Sequence, residues 1–165
     1  MKTDVSRIIK LVDLAIGTPR YTYPMYENSK RPEGDYAAVK FITEENPGID
    51  RTWLSDSAEG VIQNTEGMRI LTYDVMFSRD DEKVILLDSC FTRPDIKQYM
   101  DAQGVSVLQK EKISNQNITR ETSWEVRTGI RLTFNILRSF SINVGQIDTA
   151  IIHNNDNIYT VQVAE

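Results

Sequence analysis

The sequence predicts an α+β domain, a largely antiparallel or mixed β-sheet packed against an N-terminal helix and a central helical pair. Three observations carry this reading. Residues 1–17 repeat apolar side chains at spacings of three and four. Residues 36–78 and 105–163 contain stretches that alternate apolar and polar positions. Between them, residues 81–103 show helix start and stop signals and no alternation. With 165 residues, 40% of them hydrophobic and 26% charged, the chain has the composition of an ordinary globular protein. No linker, repeat or low-complexity tract divides it, so one domain spanning residues 1–165 is expected.

The first element is a helix. Thr3 or Asp4 caps it, and Val5, Ile8, Ile9, Val12, Ala15 and Ile16 share a face, with Lys10 and Asp13 opposite. Gly17 and Pro19 stop it. Residues 18–34 then form an extended loop with three prolines and with Tyr21, Tyr23 and Tyr26. Two readings stand for these tyrosines: a contact surface, or a cover laid over the protein's own core.

A strand follows at residues 36–43, closed by the turn Asn46-Pro47-Gly48. Residues 58–64 and 68–78 read as two strands joined by a turn at Thr65-Glu66-Gly67, with Gly67 at positive φ. In the second of these, Leu71, Tyr73, Val75 and Phe77 share one face. Asp80, Asp81 and Glu82 are placed to cap a helix and oppose its dipole. Pro94 starts a second helical piece that turns Ile96, Tyr99 and Met100 inward and ends at Gly104.

Residues 105–109 make a short strand, and a polar connection leads to the longest alternation in the chain, residues 122–138. There Trp124, Val126, Thr128, Ile130, Leu132, Phe134 and Ile136 face one way. Glu125, Arg127, Gly129, Arg131 and Thr133 face the other, and a bend is expected at Gly129. Residues 147–152 and 158–163 close the chain as a hairpin around an Asn154–Asn157 turn.

Chemistry is sparse. Lys and Arg total 19 against 24 Asp and Glu, a net charge of −5, which opposes dedicated nucleic-acid binding. The single cysteine, Cys90, lies in an apolar helical run and reads as an inert buried thiol. The single histidine, His153, borders an asparagine-rich turn and reads as surface structure. There is no nucleophile elbow, P-loop or dinucleotide fingerprint. The adjacent acids Glu44-Glu45 and Asp80-Asp81 have structural explanations at a strand end and a helix start. The expectation is a non-enzyme with no catalytic residue, cofactor or metal. No apolar run approaches a membrane span and no signal-peptide core is present, so a soluble protein made inside the cell is expected. The polar face of residues 122–138 either is solvated or meets a second copy, acid to base.

The segment RPEGDYAAVKFITEENPG, a Pro/Gly loop running into Tyr36-x-x-Val39, resembles phage neck and tail terminator proteins. So does ITRETSWEVRTGIRLTF, with Trp124, Glu125 and Arg127 in a Trp-Glu-x-Arg strand. The resemblance spans about residues 4–163. It implies a tail-terminator-like α+β subunit of a tailed phage virion, in the tail or neck, made in the host cytoplasm. It further implies a ring of identical subunits, six by the habit of the family, at the head-proximal end of the tail. Such a ring ends tube assembly, contacts the sheath where the tail contracts, and joins the tail to the head connector. DNA passes through its lumen without specific binding, and no membrane is involved. Tyr21, Tyr23, Tyr26, Glu125, Arg127 and Arg131 are the candidate interface residues. Two other readings are a different connector, tail completion or baseplate protein, and a small Mg²⁺-dependent hydrolase or nuclease.

Overall fold

A computed structural model describes the backbone of residues 2–25, 32–57, 60–78, 81–113, 118–120, 123–125, 128–144, 149–154 and 157–162. It is an α+β structure with three helices and a mixed six-stranded sheet. Two compact units are present. One comprises Met1–Gly48 and Met68–Leu137, the other Ile49–Gly67 and Arg138–Glu165.

In the first unit the opening helix α1 covers Lys2–Ile16. Of the expected face, Ile8, Val12, Ala15 and Ile16 are buried and Val5 and Ile9 are half-buried against the same core, while Leu11, not counted on that face, is buried as well. Gly17, at φ 74°, takes the left-handed conformation and donates to the Asp13 carbonyl at 2.9 Å. The Asp13 carboxylate then accepts from the backbone of Arg20 and of Thr22, both at 2.9 Å. That clamp holds Arg20 at φ 59°, a region non-glycine residues rarely enter. It lowers the chain into strand β1, Thr22–Pro24, which pairs parallel to β2, Ala37–Glu45. The segment expected to be an extended loop therefore contributes an edge strand.

The stretch expected as two strands around a turn at Gly67 is one strand, β4, Gly60–Phe77. The turn lies earlier, because residues 51–57 form strand β3, Arg51–Ser57, which pairs antiparallel with the start of β4. Gly60, at φ 117°, serves that turn, and its carbonyl accepts from the Ser57 hydroxyl at 2.8 Å. Gly67 is an ordinary strand residue.

Helix α2, Asp81–Ser89, runs through a 3₁₀ turn at Cys90–Thr92 into α3, Pro94–Gln103. Pro94 opens α3, and Gly104 closes it at φ 62°. Arg93 ties the helices together: one guanidinium nitrogen donates to the Ala15 carbonyl at the end of α1 at 2.8 Å, and Nε meets Asp95 at 3.1 Å. A cation at the C-terminus of α1 also opposes its dipole. The Tyr99 hydroxyl reaches the Arg7 carbonyl at 2.9 Å.

Strand β5, Val105–Ile113, is longer than expected, because Lys110, Glu111 and Lys112 continue it. An edge strand tolerates such charges and is protected by them. Short strands β6, Ile118–Arg120, and β7, Ser123–Glu125, pair with each other. Within the expected strand over 122–138, residues 123–125 lie in β7 and residues 128–138 in β8, Thr128–Asn143. Gly129 is the second residue of β8. A Cβ there would lie 2.5 Å from the Met76 sulfur and 2.6 Å from the Val75 carbonyl, so the glycine permits close packing of β8 on β4.

The sheet order is β1-β2-β4-β8-β5, with β3 also on β4. In the first unit the helices share one core with the sheet residues Val39, Leu71, Tyr73, Val75, Phe77, Leu132 and Phe134. The rings of Tyr73 and Phe134 meet edge to face at 6.1 Å. In the second unit β3 and the first half of β4 meet the last part of β8, where the Val144 amide donates to the Val61 carbonyl at 3.0 Å. The closing hairpin, β9 (Thr149–Asn154) and β10 (Asn157–Gln162), forms a separate two-stranded sheet.

Candidate assembly surfaces

Among the described residues, no group of three or more His, Cys, Asp and Glu is placed to hold a metal ion. The Cys90 thiol is buried in the core, and that burial pushes its pKa up to about 11. It is a packing group at neutral pH. What the chain offers instead is a set of sheet faces.

The first is the helix-free face of the first unit. Pairing sets Lys40 opposite Asp74, and Arg131 opposite Glu111. Arg131 and Asp74 close the gap as a bidentate pair, Nε to Oδ1 at 2.7 Å and the terminal nitrogen to Oδ2 at 2.9 Å. The row therefore reads Lys40, Asp74, Arg131, Glu111, plus and minus in turn across β2, β4, β8 and β5. The hydrogen bond that Arg131 donates to Asp74 is the main reason the guanidinium is held charged beyond its ordinary range. Thr72 and Thr133 meet in the next row at 3.4 Å. Opposite charges on neighbouring strands favour this register and reduce the charge presented outward.

The second surface belongs to the second unit. The Ser141 hydroxyl donates to Asn64 at 2.7 Å, and the Asn64 amide donates to Ser55 at 2.7 Å. Ser139 bonds Glu66 at 3.4 Å on the same side. Strand alternation sends Leu54, Phe140, Ile142 and Val144 to the other side. All four are at least half exposed, Leu54 at 65% and Phe140 at 63%. The first side carries these hydrogen bonds beside Trp53, and on the second the four apolar side chains stand open among Thr52, Asp56 and Gln63.

The expected interface residues separate. Tyr21 is buried, 7% exposed, with the Lys83 ammonium 4.0 Å from its ring centroid, so it belongs to the core cover. Tyr23 is exposed at 41%, with its ring edge-on to Tyr36 at 6.5 Å. Arg131 lies on the helix-free face and takes its acid from its own chain. The backbone of Glu125 lies in β7, while its side chain falls outside the described residues, as do Tyr26 and Arg127. The side chains of Trp124 and His153 lie outside them too.

Sequence reasoning missed Asp74 and the Leu54, Phe140, Ile142, Val144 row. A signal for both existed. Asp74 alternates with Tyr73 and Val75, and Phe140 and Ile142 continue the parity of Phe134 and Ile136 past the point where the strand was expected to end.

Fold and surfaces together define a structural subunit whose prominent features are sheet faces available for contact. A family model for phage neck terminator proteins matches residues 2–158, and the chain belongs to that family. It is accordingly a structural protein of the bacteriophage neck, at the virion's tail. No curated protein matches the chain.

Proposed function

We propose that this chain assembles as a ring at the head-proximal end of the phage tail, where it ends growth of the tail tube and joins the tail to the head connector. The match to the neck terminator family over residues 2–158 is the observation that carries the reading. The open apolar face of the second unit supports it, since exposed apolar rows of this kind mark contact sites. A six-subunit ring is the proposed stoichiometry, with tail tube, sheath where present, and head-completion protein as neighbours. Subunits in such a ring meet head to tail through two different patches. The chain's net charge of −5 suits a lumen that DNA crosses without being held.

Tyr23 and the face bearing Arg131 are proposed contact positions toward these neighbours. The experiment is complementation. A phage carrying a stop codon in this reading frame should accumulate filled heads and separate tails, many overlong, under the electron microscope. Supplying the chain in trans should restore joined particles with tails of uniform length. Normal virions without the protein would overturn the proposal.

A further inference from the structure

We propose that the outer edge of β8 over residues 139–144 receives the β9–β10 hairpin of a second copy, adding its strands to the three-stranded ribbon of the second unit. The proposal rests on the ring reading above and names the surface and the segment that would build it.

Strand edges invite pairing unless something guards them. In the first unit they are guarded. β1 is three residues long and ends in Pro24, and β5 carries Lys110, Glu111 and Lys112 in succession. β5 also stops pairing with β8 at Ile136. Beyond that point no described strand lies on the outer side of β8. Residues 139–144, Ser-Phe-Ser-Ile-Asn-Val, hold no charge and no proline. Phe140, Ile142 and Val144 stand exposed along this stretch, with Leu54 on their side of the ribbon.

The chain supplies a matching occupant. Among the described residues, β9 and β10 pair only with each other, and a lone two-stranded hairpin is marginal in water. Each strand is six residues long, enough to span the open edge. Across residues 149–162 the only Asp, Glu, Lys or Arg is Asp156, and His153 in β9 is the one other side chain that titrates near neutral pH, so docking strips water from little charge along the strands. The β3 edge is a poorer recipient, because Arg51 and Asp56 fall within its seven residues, whereas residues 139–144 carry no charge. Strand addition draws affinity from backbone hydrogen bonds and specificity from alternate side chains, and the exposed apolar row provides the second. Each subunit then has one edge to offer and one hairpin to give. Such a contact repeats head to tail and can close a ring, with no need for edge to meet edge.

Native mass spectrometry of the full chain over a range of concentrations tests this. The parent should form oligomers. Ile142→Lys, a charge set on the open edge, should be monomeric with unchanged circular dichroism and melting temperature. Ile158→Pro, which removes a donor from the hairpin, should be monomeric as well. Mixing the two variants is the decisive measurement: one has an intact hairpin and the other an intact edge, so heterodimers should form and growth should stop at two. Three results would overturn the proposal. They are oligomers persisting in Ile142→Lys, oligomers persisting in Ile158→Pro, and a parent that stays monomeric to its solubility limit. None of these touches the complementation result, so failure of this contact is distinguishable from failure of the neck reading.

Discussion

Strands β4 and β8 contribute to both units, and the two halves of each strand meet different fates. In the first unit their core parity, Leu71 to Phe77 and Ile130 to Ile136, is buried beneath the helices. In the second unit residues of the same parity, Phe140 and Ile142, remain exposed. In β8 the row resumes at Phe140 after Arg138, and in β4 the same parity reads Val61, Gln63 and Thr65; the first unit also supplies α1, α2 and α3 as a cover. An apolar row with its own cover is folding material, whereas the same row left exposed is the place where the proposed self-contact would bury it.

A pair of substitutions in β8 sharpens that contrast. Phe134 is 0% exposed and packs edge-on to Tyr73, so Phe134→Ala should cost about 3–5 kcal/mol in denaturant melts. Six residues on, Phe140→Ala should stay within about 0.5 kcal/mol of the parent while weakening self-association. Equal losses from the two would mean that the second unit buries Phe140 in the monomer. Gly129→Ala is next in size. Its new methyl meets the Val75 carbonyl, which is backbone and cannot swing away, so a loss of about 1–3 kcal/mol is expected in the same melts.

The buried thiol offers a test by pH confined to the covered half. Cys90 ionises at about 11 in the folded protein against an ordinary 9.0, and burial is the largest cause. The folded state therefore favours the neutral thiol. Its contribution is complete below pH 9.0 and is lost as pH rises toward about 11, because only the unfolded chain ionises readily in that window. Stability of the parent should fall more steeply than that of Cys90→Ala across this range. Parallel slopes would show that the thiol reaches water in the native state. At pH 8, thiol reagents should label the native protein far more slowly than the unfolded one.

Local signals in the sequence were strong where one residue type decides the backbone. Gly17, Pro94 and Gly104 ended and started helices where expected, since each acts through its own φ or missing donor. The stripe of α1 and the row from Leu71 to Phe77 were legible because burial follows periodicity. Gly67 misled, because a glycine after Thr-Glu suits a turn equally well. The choice was made by pairing with β3, a strand whose short alternation Trp53, Leu54 is weak alone. Lys110 to Lys112 read as connection because charge usually marks loops, and only the edge position of β5 makes them strand. Which tyrosine is buried was not legible, since Tyr21 and Tyr23 differ only in how the Asp13 clamp sets the chain down.

Asp74 and Arg131 show the same gap between composition and register, and they give the smallest expected effect. Both residues were visible, and their parity put each on the polar side of its strand. Their partnership depends on β4 lying beside β8 with a particular register, which no local pattern encodes. The pair is bidentate, but the Arg131 side chain is 42% exposed, so water screens much of its attraction. A double-mutant cycle with Asp74→Asn and Arg131→Met should return a coupling of about 0.2–1 kcal/mol, shrinking in high salt. A larger, salt-insensitive coupling would mean that the face is covered in solution, and would place a contact on the helix-free side of the first unit as well. A coupling within this range, together with monomeric Ile142→Lys, leaves the self-contact on the uncovered half of β8. The charge ladder would then serve to keep the first unit's sheet in register.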